Sequence, residues 1–126
     1  MDSGPIKKQT GLRHLFAAAQ YSQQGFVRLL KESAFRHELL AFVVGLVVFA
    51  LIRATIIEFL IYVVLMMVLF ATEALNTAIE ELVDRVSPEI SSVGKHAKDL
   101  GSFAVFCMLI ANGLFAAYVV ISSLLP

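Results

Sequence analysis

The chain has 126 residues, of which 59% are hydrophobic, a mean hydropathy of +0.82 and no formal net charge. A chain this short cannot bury so much apolar surface in its own core, which excludes an ordinary water-soluble domain and leaves lipid to cover the excess. Balanced charge argues against nucleic acid as a partner, and the single Cys107 excludes an intrachain disulfide.

Residues 1–10 are polar and hold Lys7, Lys8, Gly4 and Pro5. They read as a loose basic tail without a signal-peptide pattern, and Thr10 stands where a helix cap would. In residues 10–31, Leu12, Leu15, Phe16, Ala19, Phe26, Leu29 and Leu30 recur at helical spacing, with Arg13, Gln20, Gln24, Arg28 and Lys31 largely opposite. This is an amphipathic helix too polar to span; it suits the plane of a membrane surface, with Gly25 as its weak point.

Glu32-Ser-Ala-Phe-Arg36-His-Glu38 leads into the first span. Glu32 and Arg36 are spaced as an i, i+4 ion pair, and Glu32 is also placed to face other acidic groups across the interface. Residues 34–52 are apolar for nearly the ~20 residues a crossing needs. Arg53, Thr55 and Glu58 suit a short turn at the far surface. Residues 56–75 form the second span, whose helix continues to about Val86 and stops at Ser87-Pro88.

That helix changes character along its length. Glu73, Asn76, Glu80 and Asp84, spaced i, i+3, i+7 and i+11, fall within an arc of about 80° on one face. A carboxylate at Glu73, where hydrocarbon gives way to headgroups, is costly. Two readings fit: the wet end of a helix that snorkels, or a carboxylate site at the membrane surface.

Residues 88–101 read as the one substantial loop, with Glu89, Lys95, Lys98 and Asp99. Residues 102–125 are the third span, in which Asn112 is placed to hydrogen-bond a neighbouring helix of an assembly. Basic residues crowd before the first span and between the second and third, with only Arg53 on the opposite side. The positive-inside rule therefore puts the N-terminus, the acidic stripe and the 88–101 loop in the cytoplasm.

Magnesium takes one or two carboxylates together with substrate phosphates, lysine supplies charge to phosphate, and a partly desolvated carboxylate is poised to accept a hydroxyl proton. Those are the parts phosphoryl transfer needs. No phosphate-binding Gly-x4-Gly-Lys-Ser/Thr loop or glycine-rich kinase loop is present. From residue chemistry alone, membrane-surface phosphotransfer and a non-catalytic multispan scaffold or channel subunit both stand. The Lys98-Asp99 pair and Glu32 favour the enzyme, because a scaffold needs neither.

Glu73-Ala-Leu-Asn-Thr-Ala-Ile-Glu80 followed by Val83-Asp84-Arg85 resembles the E-x-x-N-(S/T)-A-(I/V)-E-x-x-(V/I)-D signature of the prokaryotic diacylglycerol kinases. Ala97-Lys98-Asp99-Leu100-Gly101-Ser102 resembles that family's second motif, and Glu32 to Glu38 its E-x-A-F-R-x-E segment. The resemblance covers the chain from about Gly11 to Leu125. It implies an all-α integral-membrane kinase in one domain over residues 1–126: a surface helix plus three transmembrane helices, assembled as a homotrimer in the bacterial inner membrane. A trimer would also shield Glu73, which three spans of a single chain are expected to leave open to lipid.

The resemblance further implies transfer of the ATP γ-phosphate to a lipid hydroxyl. Glu73 is similar to the base that also meets the substrate, and Glu32 and Glu80 to carboxylates that hold Mg2+ and ATP. Asn76, Glu89, Lys98 and Asp99, with Arg13, Tyr21 and Ser22 on the surface helix, are similar to ATP contacts. Ala34, Phe35, Arg36 and Ser102 are similar to lipid-pocket residues. The surface helix departs from the family pattern by one-residue shifts at Gly11–Arg13 and between Gly25 and Glu32. One branch of the family phosphorylates diacylglycerol and another undecaprenol; the A-F-R-x-E segment and basic helix look more like the former.

Overall fold

The computed structural model describes residues 10–89 and 91–126; the tail expected at residues 1–9 lies outside the described residues. Among the described residues the chain is all helical, with α1 (Gly11–Leu29), α2 (Ser33–Leu51), α3 (Ile56–Val86) and α4 (Ser92–Leu124). The last three are each long and apolar enough to cross a membrane.

Thr10 occupies the cap position of α1, but its side chain makes no capping hydrogen bond. The helix runs unbroken through Gly25 and ends at Leu29, two residues short of the expected bound, in a tight turn closed by Glu32 N–H donating to Leu29 O at 2.9 Å. The Glu32–Arg36 pair does not form. Glu32 caps α2 in extended conformation, and its carbonyl accepts from Arg36 N–H at 3.2 Å, but the two side chains part. Glu32 pairs with Arg28 at 3.0 Å instead, while Arg36 Nη1 donates to Leu30 O at 2.8 Å.

The turn between α2 and α3 is fixed from both sides. Arg53 has φ of 59°, and Ala54 N–H donates to Phe49 O at 2.9 Å while Arg53 N–H donates to Ala50 O at 3.2 Å. That pair of bonds satisfies the end carbonyls of α2 in the Schellman manner. Thr55 and Glu58 then form a reciprocal capping box that starts α3, with bonds of 3.1 and 2.8 Å. Glu58 therefore belongs to the first turn of α3 rather than to the turn before it.

The expected loop over residues 88–101 is mostly helix. α4 begins at Ser92, where Ser91 Oγ accepts from Gly94 N–H at 3.0 Å and caps the helix. Gly94 and Gly101, which read as loop residues, are both buried within the helix. α4 then runs to Leu124.

α3 and α4 form a close antiparallel pair. Asp84–Lys98, Asn76–Gly101 and Leu65–Asn112 meet in succession down it. Within the chain, Asn112 Nδ2 donates to Leu65 O of α3 at 3.2 Å and to Met108 O at 2.8 Å, while its Oδ1 is buried without a partner. α2 joins the pair through Phe49, Tyr62, Met66, Leu69 and Val119. The Tyr62 hydroxyl lies 3.0 Å from Ala41 O on α2, an approach open only because residue 45 is glycine, where any Cβ would strike the phenol ring. Between spans surrounded by lipid, these contacts hold by close packing rather than by transfer out of water. Val43, Val47, Leu60, Val64, Leu114 and Ile121 remain exposed, as a lipid-facing surface requires.

Candidate functional site

The acidic face of α3 does not stay at a wet helix end. Glu73 is 5% exposed and Asn76 8%. They line a cleft of about 440 Å³ together with Glu32, Ala34, Glu80 and Ser102. Helical spacing puts Glu73, Asn76 and Glu80 on one face; the extended backbone at Glu32 swings its carboxylate in from the start of α2; and α4 contributes Ser102. One end of the cleft is apolar, lined by Val105, Phe106 and Leu109, and the other is acidic.

Asn76 Nδ2 donates to Glu80 Oε1 at 3.3 Å, which orients that carboxylate, while Asn76 Oδ1 is buried without a partner. Glu73 is shielded within the single chain, so the expectation that it lies open to lipid is corrected. Glu38 of α2 stands beside it: it is 7% exposed, its carboxyl meets that of Glu73, and its Oε1 has no hydrogen-bond partner. Glu38 carries no site role in the sequence reading. The signal available was an acidic residue inside an apolar span, which is expensive and calls for a function.

The other polar groups gather one turn away. Asp84, Glu89, Lys95, Lys98 and Asp99 line a shallow pocket of about 240 Å³. Lys98 Nζ pairs with Asp84 at 2.6 Å and Lys95 Nζ with Asp99 at 2.6 Å. Ser87 Oγ donates to Glu89 at 3.1 Å. Glu80 lies within electrostatic reach of Lys98, so cleft and pocket form one polar track along α3 and α4.

The remaining expected residues lie apart. Arg13 and Tyr21 are exposed on α1 and line neither cavity. Ser22 donates to Ala18 O at 2.9 Å and lines a separate apolar groove beneath α1. Phe35 is buried and packs edge-on against Phe26 and Phe70, which makes it a packing residue of that groove, and Arg36 is bound to the α1–α2 turn. Arg28, unassigned in the sequence reading, bridges Glu32 and Glu81. Its pKa is raised, first by the hydrogen bond to Glu32 and then by that to Glu81.

Two carboxylates, an amide and a neighbouring lysine suit a hard divalent cation that also coordinates phosphate. No group of three or more His, Cys, Asp or Glu side chains able to hold a metal occurs among the described residues. The donor set fits an ion that takes part of its shell from a phosphorylated ligand, and less well one caged by protein alone.

The family model for prokaryotic diacylglycerol kinase matches residues 20–120. The chain belongs to that family. It is 58% identical over 119 residues to a diacylglycerol kinase of Sinorhizobium sp, covering 94% of this chain and 87% of that one. It is 39% identical over 110 residues to the diacylglycerol kinase of Pseudomonas aeruginosa, with 86% and 89% covered. Against the diacylglycerol kinase of Escherichia coli K12 it is 33% identical over 102 residues, with 80% and 84% covered. The matched span of the family model takes in the whole cleft, from Glu32 to Leu109.

Proposed function

We propose that the protein phosphorylates diacylglycerol with ATP at the cytoplasmic face of the bacterial inner membrane. The observation that carries the reading is the shared cleft: Glu73 is buried at its apolar end, with Glu32, Asn76 and Glu80 toward its polar end. A lipid hydroxyl comes from the bilayer and a triphosphate from water, and this cleft opens toward both chemistries.

In this reading Glu73 accepts the proton of the lipid hydroxyl as its oxygen attacks the γ-phosphorus, and ADP leaves. Glu38 packs against the Glu73 carboxyl and holds its position. Glu32 and Glu80 would hold Mg2+, and Asn76 orients Glu80. When bound, the ion neutralises phosphate charge. Lys98 exchanges Asp84 for phosphate, and Asp99 and Glu89 border the nucleotide. Ala34 and Ser102 border the lipid headgroup. Arg13, Tyr21 and Ser22 reach the nucleotide only if α1 lies over the site, with Leu12, Leu15 and Phe16, all exposed, resting in the membrane surface. Phe35 and Arg36 then shape the lipid site through the α1–α2 turn rather than by lining it.

Transfer of labelled γ-phosphate from ATP, with diacylglycerol and undecaprenol offered side by side, tests the reading. The relatives' shared name favours label in phosphatidic acid; label only in the polyprenyl phosphate reassigns the substrate, and label in neither removes the kinase reading.

A further inference from the structure

Arg28 lies in the last turn of α1, and its guanidinium reaches two carboxylates from different parts of the fold. Nη1 donates to Glu32 Oε1 at 3.0 Å, and Nη2 pairs with Glu81 of α3. Glu32 faces the cleft. Glu81 follows Glu80 on α3 and is turned from it by about 100°. It lines the groove beneath α1, alongside Arg28 and Phe26. The guanidinium therefore crosses the ridge between groove and cleft, tying a carboxylate of one to an anchor in the other. A planar fork with several N–H donors suits this, because one rigid group satisfies both partners.

Among the described residues, Arg28 alone bonds the Glu32 carboxylate. Glu32 occupies the cap position of α2 without a side-chain capping bond. The same bridge is the polar link from α1 to α3, beside Leu29, the one buried residue of α1, and the edge-on contact of Phe26 with Phe35.

We infer that Arg28 is a positioning residue for the metal–nucleotide site: anchored by Glu81, it fixes the Glu32 carboxylate in the cleft and docks α1 onto α3. This rests on the reading of Glu32 as a metal ligand. Nη1 occupies one Glu32 oxygen and leaves the other for the cation. Glu81 offsets the guanidinium charge, so the bridge orients Glu32 without adding net positive charge beside the ion. Glu81 thereby acts on a site it does not line.

The test compares the wild type, Arg28→Gln, Arg28→Lys, Glu81→Gln and the double variant Arg28→Gln/Glu81→Gln in lipid vesicles. Mn2+ binding in the presence of a non-hydrolysable ATP analogue is read by electron paramagnetic resonance, and Mg2+ dependence of the rate is read in parallel. Losing a hydrogen-bond partner of a metal ligand costs about 10–100-fold in affinity, and this half-exposed bridge belongs at or below the low end, about 3–10-fold. Arg28→Gln and Glu81→Gln are each expected to weaken Mn2+ binding by that factor, with the Glu81→Gln rate defect vanishing at saturating Mg2+. The double variant should be no worse than Arg28→Gln, and lysine should restore only part, having no second edge. Unchanged Mn2+ binding in folded Glu81→Gln, or effects that multiply in the double variant, overturns the inference. A wild type that binds no Mn2+ with nucleotide overturns instead the metal-site reading beneath it.

Discussion

Gly101 of α4 lies so close under the side-chain amide of Asn76 on α3 that a Cβ at position 101 would collide with Asn76 Oδ1. Glycine inside a helix costs about 1 kcal/mol against alanine, and here it admits the residue that orients Glu80. Gly101→Ala is expected to destabilise the fold by about 1–3 kcal/mol, the usual cost of overpacking. Displacing Asn76 and Glu80 should also lower turnover by up to about 100-fold. Gly25 of α1 has open space around it, so Gly25→Ala should instead stabilise by about 0.4–1 kcal/mol. Thermal unfolding and rate measurements on both variants check the contrast; equal behaviour would contradict it.

Glu38 presents the opposite trade. Its Oε1 is buried without a partner, and a group left in that state costs about 1–3 kcal/mol. Glu38→Met should therefore raise the melting temperature while lowering kcat, because Glu73 loses the neighbour that holds it. A variant that is less stable, or as active as the wild type, argues that Glu38 is purely structural.

How far the chain was legible follows from where each signal lay. The bounds of α3 were readable because Thr55 and Ser87-Pro88 mark them locally. The face of Glu73, Asn76 and Glu80 was readable because one helix carries all three. The start of α4 was missed: Gly94 and Gly101 look like loop residues in sequence, and their reason, close contact with Val83 and with Asn76, belongs to the neighbouring helix. The sequence offers Glu32 a basic residue four positions away on each side, and spacing does not choose between Arg28 and Arg36; the turn at Leu30, whose carbonyl takes Arg36, decides it. Glu38 escaped notice as a site residue because what it touches is 35 positions away in the chain.

The crowding of basic residues before α2 and between α3 and α4 predicts that the α3–α4 connection is cytoplasmic. Ser92 is exposed at the start of α4, so Ser92→Cys in a Cys107→Ser background offers a clean label. A membrane-impermeant maleimide should modify it only after the membrane is opened. Labelling of intact cells would reverse the topology.

The resemblance implies a homotrimer, and the exposed apolar faces of α2, α3 and α4 leave surface for partners as well as lipid. Native mass spectrometry from nanodiscs should release trimers under conditions that support turnover. Monomer alone under those conditions would remove the assembly.

The central claim is that Glu73 is the base and that Glu80 and Glu32 serve the nucleotide's metal. Glu73→Gln keeps the shape and burial of the side chain and removes its basicity. Losing a general base costs about 10²–10⁴-fold in rate. The most direct measurement is turnover of Glu73→Gln beside its binding of a labelled ATP analogue. The expected result is a rate lower by that factor with binding close to wild type, while Glu80→Gln and Glu32→Gln raise the Mg2+ and ATP requirement instead. Near-normal turnover in Glu73→Gln, or a defect confined to ATP affinity and rescued by excess Mg2+, would contradict the assignment and move Glu73 into the nucleotide site.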